Sequence, residues 1–162
     1  MEQHSVREII ELCAGIDQRA IELYQRMASV THDPALRVFW TERAGSIRAH
    51  HQFLETVGGL ADDGLFPQIF PASEATAMAL RRILGRVVAL GPEVDAIQRT
   101  ESAFLLAYRL ESDLLHPAFE VLFHYGRNLV PMVFAESPED DYPEHLAHFA
   151  RGLEEFGIAS PE

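Results

Sequence analysis

The chain has 162 residues, a length suited to one compact domain, and its 48% hydrophobic content supplies a sizeable core. A formal net charge of −12 gives a surface that repels nucleic-acid phosphates and anionic lipid, which excludes both partners. Its lone cysteine, Cys13, rules out an internal disulfide; no apolar run approaches membrane length, and Met1 to Ser5 has no apolar signal core, so the expectation is a single cytoplasmic domain over residues 1–162.

Apolar residues recur at three- and four-residue spacing through most of the chain, the signature of helix, and no stretch alternates long enough for a sheet. A first helix is predicted from Ser5 to Val30. Thr31 to Pro34 reads as a turn, with Asp33 as N-cap and Pro34 in the first helical position. A second helix should run to Val57 and stop at Gly58 and Gly59. Leu60 to Ala72, with Asp62, Asp63, Gly64, Pro67 and Pro71, reads as loop. Ser73 can cap a third helix to Leu90, which Gly91 and Pro92 interrupt. A long helix then spans Glu93 to Tyr125, with Pro117 expected to kink or divide it. Gly126 to Pro143 reads as a second loop, and a short last helix covers Pro143 to Phe156.

Unrolling each helix at about 100° per residue separates an inward from an outward face. The first helix buries Val6, Ile9, Ile10, Cys13, Ile16, Ala20, Tyr24 and Met27, with Asp17 in the middle of that stripe. A carboxylate there is costly unless it is paired or bound to metal. The second helix places Arg43 and His50 on the same stripe as Leu36, Phe39, Ile47, Phe53, Leu54 and Val57. On the long helix Glu111 lies near the centre of the apolar side, and Glu101 near its edge beside Tyr108. His116, Glu120 and His124 share the opposite face with arginines and read as a solvated charged surface. The last helix should bury Leu146, Phe149, Ala150, Leu153 and Phe156, with His145 at the margin.

These residues resemble the rubrerythrin-like family of the ferritin-like superfamily. In that family each half of the fold carries Glu followed seven residues on by Tyr, and the next helix carries Leu-Ala and then Glu-x-x-His. Asp17 and Tyr24 have the first spacing within "IDQRAIELYQRMA", and Glu101 and Tyr108 repeat it within "ESAFLLAYRL". "RAGSIRAHHQFL" sets Ile47 at the glutamate and His50 at the histidine; "LAHFARGLEEFG" sets Ala150 and Leu153 at the corresponding pair. The resemblance implies an all-α, ferritin-like four-helix bundle whose crossover segment contains an extra helix. It also implies a di-iron centre, of which this chain keeps only Asp17, His50 and Glu101, with Glu111 nearby. Cys-x-x-Cys pairs are absent, so the family's iron–sulfur domain is missing.

Two functions follow as expectations. In the first, the chain is a divergent, metal-free or weakly metal-binding module, with Arg43 neutralising a carboxylate inside the fold. In the second, Asp17, His50, Glu101 and Glu111 are candidate or relic ligands holding a single Fe, Mn or Zn ion for iron or peroxide chemistry. Tyr24, Arg43 and Tyr108 would surround those ligands. No standard di-iron centre is expected in either case, because Ile47 and Ala150 supply no bridging oxygen. A hemerythrin-like oxygen carrier, suggested by His51-x-x-x-Glu55 and His116-x-x-x-Glu120, is disfavoured because those pairs face outward. The apolar stripe Leu80, Ile83, Leu84, Val87 and Val88 on the extra helix needs a cover, which leads to the expectation of a homodimer.

Overall fold

A computed structural model describes residues 6–64, 66, 67, 69–129 and 142–158, with residues 127–129 and 142–146 in backbone only. The described residues are all-helical, with no strand among them. None of the described helices is long and apolar enough to cross a membrane.

Among the described residues, helix α1 (Val6–Val30) and helix α2 (Pro34–Asp62) form the most extensive helix–helix contact. The turn between them forms as expected. Asp33 accepts from the backbone N–H groups of Ala35 and Leu36, satisfying two of the donors that a helix start leaves unpaired, and Pro34 follows it. Contrary to expectation, α2 does not stop at the glycine pair but runs on to Asp62. Gly58 is instead a contact point: a methyl group there would collide with the Arg7 guanidinium of α1 and would lie in van der Waals contact with Ile10. Two glycines weaken a helix by about 1 kcal/mol each, which packing against a neighbouring helix readily offsets.

Helix α3 (Ser73–Ala89) packs on α1. Ser73 does not cap it; Ala72 holds that position without a side-chain hydrogen bond. Leu80, Ile83 and Val87 are buried, and Arg81 pairs with Glu8 of α1. The stripe that suggested a homodimer is therefore largely covered by the chain itself, with Leu84 half-buried and Val88 exposed.

The expected long helix over residues 93–125 is three helices. A short α4 (Gly91–Asp95) is tied to α1 by an Arg26–Asp95 ion pair. Helix α5 (Thr100–Asp113) follows a break at residues 96–99, where Arg99 is extended. Helix α6 (Pro117–Leu129) begins at the proline expected to divide the segment. Pro117 lacks an N–H, so it fits a first helical position. The N–H of Ala118 donates to His116 Nδ1 at 3.1 Å, and partial burial lowers the His116 pKa, in keeping with a neutral ring that accepts. The expected loop from Gly126 gives way to helix as far as Leu129.

Helix α7 (Tyr142–Glu155) closes the described fold. Phe149 and Leu153 are buried as expected, whereas Ala150 is exposed. The side chains of His145 and Leu146 lie outside the described residues. The helix meets α2 at Gly152, where a Cβ would clash with the Phe39 ring. That ring cannot easily give way, because it also packs on Trp40, Phe104, His148 and Phe156. Gly152→Ala is therefore expected to lower stability by about 1–3 kcal/mol through overpacking. Gly45→Ala in exposed mid-α2, where a Cβ meets nothing within 4 Å, should raise it by about 0.5–1 kcal/mol. Urea unfolding of the two variants checks both signs.

Candidate functional site

The interior of the fold contains buried polar groups from several helices. Asp17 and Tyr24 come from α1, Arg43 and His50 from α2 and Glu111 from α5; each is at most 3% exposed. Their inward placement follows from the helical phase, since each sits on an apolar stripe.

Glu111 is the hub. Its Oε1 accepts a hydrogen bond from Tyr24 Oη at 2.5 Å and another from Arg43 Nη2 at 2.6 Å. The Arg43 guanidinium also lies 5.5 Å from the centre of the Phe149 ring, within cation–π range. Its Nη1 is 3.1 Å from Nδ1 of the half-buried His148 on α7. The guanidinium thus draws on α5 for a counter-charge and on α7 for an aromatic face and an imidazole.

Burial acts against the Arg43 charge, but Glu111 and then Tyr24 outweigh it, so its pKa lies above the ordinary value. The Tyr24 phenol is held well above its usual range, first by burial and then by the Glu111 charge. Asp17 is pushed well above the carboxylate range, first by burial and then by repulsion from Glu111. Cys13, buried one turn before Asp17, is raised by burial and then by Asp17, so it is not a ready thiolate. These directions favour a charged Arg43 beside Glu111 and disfavour the ionised form of Asp17.

Two expected members are elsewhere. The Glu101 side chain is 66% exposed and pairs with Arg99, and Tyr108 is 38% exposed. At 100° per residue both lie about 60–80° round α5 from Glu111, which is enough to turn them to the surface. The seven-residue Glu–Tyr spacing was therefore real but off the inward face. Ala150 is likewise outward, so a glutamate there would meet solvent. Ile47 is buried in the core, as its place on the α2 stripe required. His50 is buried edge-to-face against Phe123 of α6 at 5.1 Å. Among the described residues, no three His, Cys, Asp or Glu side chains converge closely enough to hold one metal ion.

Sequence reading missed His148 as a member of the cluster. The available signal was Gly152, four residues later: a residue without a side chain, one turn from His148, marks where α7 comes closest to α2. No protein-family model, curated protein or solved structure matches the chain.

Removing one member of a buried pair strands the other charge. Arg43→Ala should cost about 3 kcal/mol or more, whereas replacing the whole unit (Y24F, R43M and E111L together) should cost much less. Chemical unfolding of the single and triple variants measures the difference; equal losses would mean that Glu111 does not need Arg43.

Asp17 gives a second expectation. Its folded pKa is raised, so its stabilising contribution is complete below the unfolded value near 3.8 and is lost as pH rises through the folded value. Asp17→Asn removes that penalty. The variant should be more stable than the native chain at neutral pH, with an advantage that shrinks as pH falls toward 3.8. A pH series of unfolding midpoints tests this.

Proposed function

We propose that this chain is a divergent ferritin-like protein of rubrerythrin-like pattern in which a guanidinium has taken the place of metal, and that it works as a metal-independent binding module. In this reading α1, α2, the α5–α6 pair and α7 are the four members of the bundle. Helices α3 and α4 belong to the crossover segment.

The observation that carries the reading is the Arg43–Glu111 contact at 2.6 Å inside the fold. A metal ion in a carboxylate-lined interior supplies positive charge to groups that would otherwise repel one another. Arg43 supplies that charge covalently, from α2, and already occupies an oxygen of Glu111. A divalent cation entering beside it would face repulsion from a guanidinium that has no neutral form at physiological pH. A protonated Asp17 is also a poor ligand, since metal must first displace its proton. Glu101, on the surface with Arg99, contributes nothing to an interior site.

The test is metal per chain after anaerobic incubation with ferrous salt and removal of free iron. The expected result is no stoichiometric iron, zinc or manganese. Two tightly held ions per chain would overturn the proposal, and one would favour a reduced site around Asp17 and His50.

A further inference from the structure

We propose that His148 is a protonation-dependent latch that fastens α7 to the buried Arg43–Glu111 pair and releases it on acidification. The argument begins with the donor count. Arginine donates through every guanidinium N–H and has no lone pair to offer. With Arg43 Nη1 at 3.1 Å, His148 Nδ1 has to accept, so the ring is neutral and carries its proton on Nε2. That Nε2 points toward Glu42 Oε2 at 3.6 Å, beyond a normal hydrogen bond.

A proton added at Nδ1 removes the acceptor. It also sets an imidazolium N–H against a guanidinium N–H at contact distance. Arg43 cannot retreat: it is fully buried and held by Glu111 at 2.6 Å. His148 is 35% exposed at its side chain and can move. The charged groups around it set the direction. From α2, Arg43 repels the charged ring and Glu42 attracts it. Glu111 of α5 stands behind Arg43 and is already paired with it. From α7 itself, Arg151 and Glu155 line the same surface cleft with opposite signs. Among the described groups, Arg43 pushes an imidazolium outward and Glu42 draws it to the rim.

The consequence for the fold runs through Phe39. The neutral His148 ring stacks on Phe39 at 5.4 Å, and the Phe39 ring is also the surface against which Gly152 closes. Outward movement of His148 therefore exchanges a polar and an aromatic contact of the α2–α7 joint for a solvent-exposed ion pair with Glu42, which is worth little. It also widens the cleft of about 450 Å³ between those helices. Trp40, the chain's sole tryptophan, packs on Phe39 at 5.0 Å and reports the change.

The full chain is compared across the histidine range, from about pH 8 to about pH 5, by hydrogen exchange corrected for intrinsic rates and by Trp40 fluorescence. Protection of α7 should fall by about tenfold on acidification, the effect of roughly one pH unit of linked protonation. Fluorescence should move with the same midpoint. In H148N the amide oxygen keeps an acceptor near the Nδ1 position without titrating, so α7 protection should be flat across the range. Should H148N fail to fold, side-chain nitrogen NMR of the native chain decides: His148 must show the Nε2–H tautomer at high pH and titrate together with α7 exchange. An Nδ1–H tautomer at high pH, unchanged α7 protection at low pH, or a loss of α7 protection that persists in H148N would overturn the proposal.

Discussion

A guanidinium enclosed by protein has to be given back in contacts what it loses in hydration. That requirement at Arg43 organises the interior. Its partners come from elements far apart in sequence: Glu111 on α5 for charge, with Tyr24 of α1 on the same carboxylate oxygen, and Phe149 and His148 on α7. Desolvating two ions costs several kcal/mol each, and attraction repays this only when the geometry is good and the remaining polar atoms are served. Stability is thus not the main product of the cluster. Its consequence is selectivity of arrangement. A helix slipped by one turn would leave Glu111 or Arg43 charged and unpaired inside the fold, at a penalty that no apolar side chain could impose.

The apolar core supplies the driving force. Trp40 is held between Tyr24 and Phe104, and Phe39 links α2 to α5 and α7 through Phe104, His148 and Phe156. This aromatic layer occupies the turn of α2 next to Arg43. It keeps water from the ion pair, which strengthens the attraction while raising the cost of breaking it. Gly152 completes the arrangement by letting α7 close on the layer without a side chain in the way.

Much of this was legible in the sequence because helical phase is a local property. Asp17 and Glu111 stand out near the centre of an apolar stripe, Tyr24, Arg43 and His50 share such stripes, and all five are buried. The Asp33–Pro34 start and the division at Pro117 were equally readable, since a capping side chain and a missing N–H act within a few residues. What failed depended on neighbours. Gly58 and Gly59 look like a stop signal until α1 is seen packed against Gly58. The α3 stripe looks uncovered until α1 is seen to bury most of it. Glu101 and Tyr108 share the spacing of Asp17 and Tyr24 but not their phase, and an edge residue is turned in or out by whichever helix lies beside it. His148 was hidden for the same reason, because its role exists only where α7 meets Arg43.

The charge arithmetic of the interior explains why a cationic side chain can stand where a carboxylate-lined fold would hold a metal. Arg43 pairs with the buried Glu111, and Asp17, also buried, is repelled by the Glu111 charge. Burial and that repulsion both disfavour ionising Asp17 as well. Glu111 has Arg43 and Tyr24 donating to it, which favours its charged form, whereas burial and then Glu111 push Asp17 toward its protonated form. A divalent ion would bring charge enough to ionise both carboxyl groups but would then share the space with Arg43. The guanidinium needs neither a supply of metal nor a vacant coordination position, and it is fixed to α2 at a set depth. In the proposed reading a fixed cation stands in for an exchangeable one, which would trade reactivity for permanence while the helices that supply its partners stay in register.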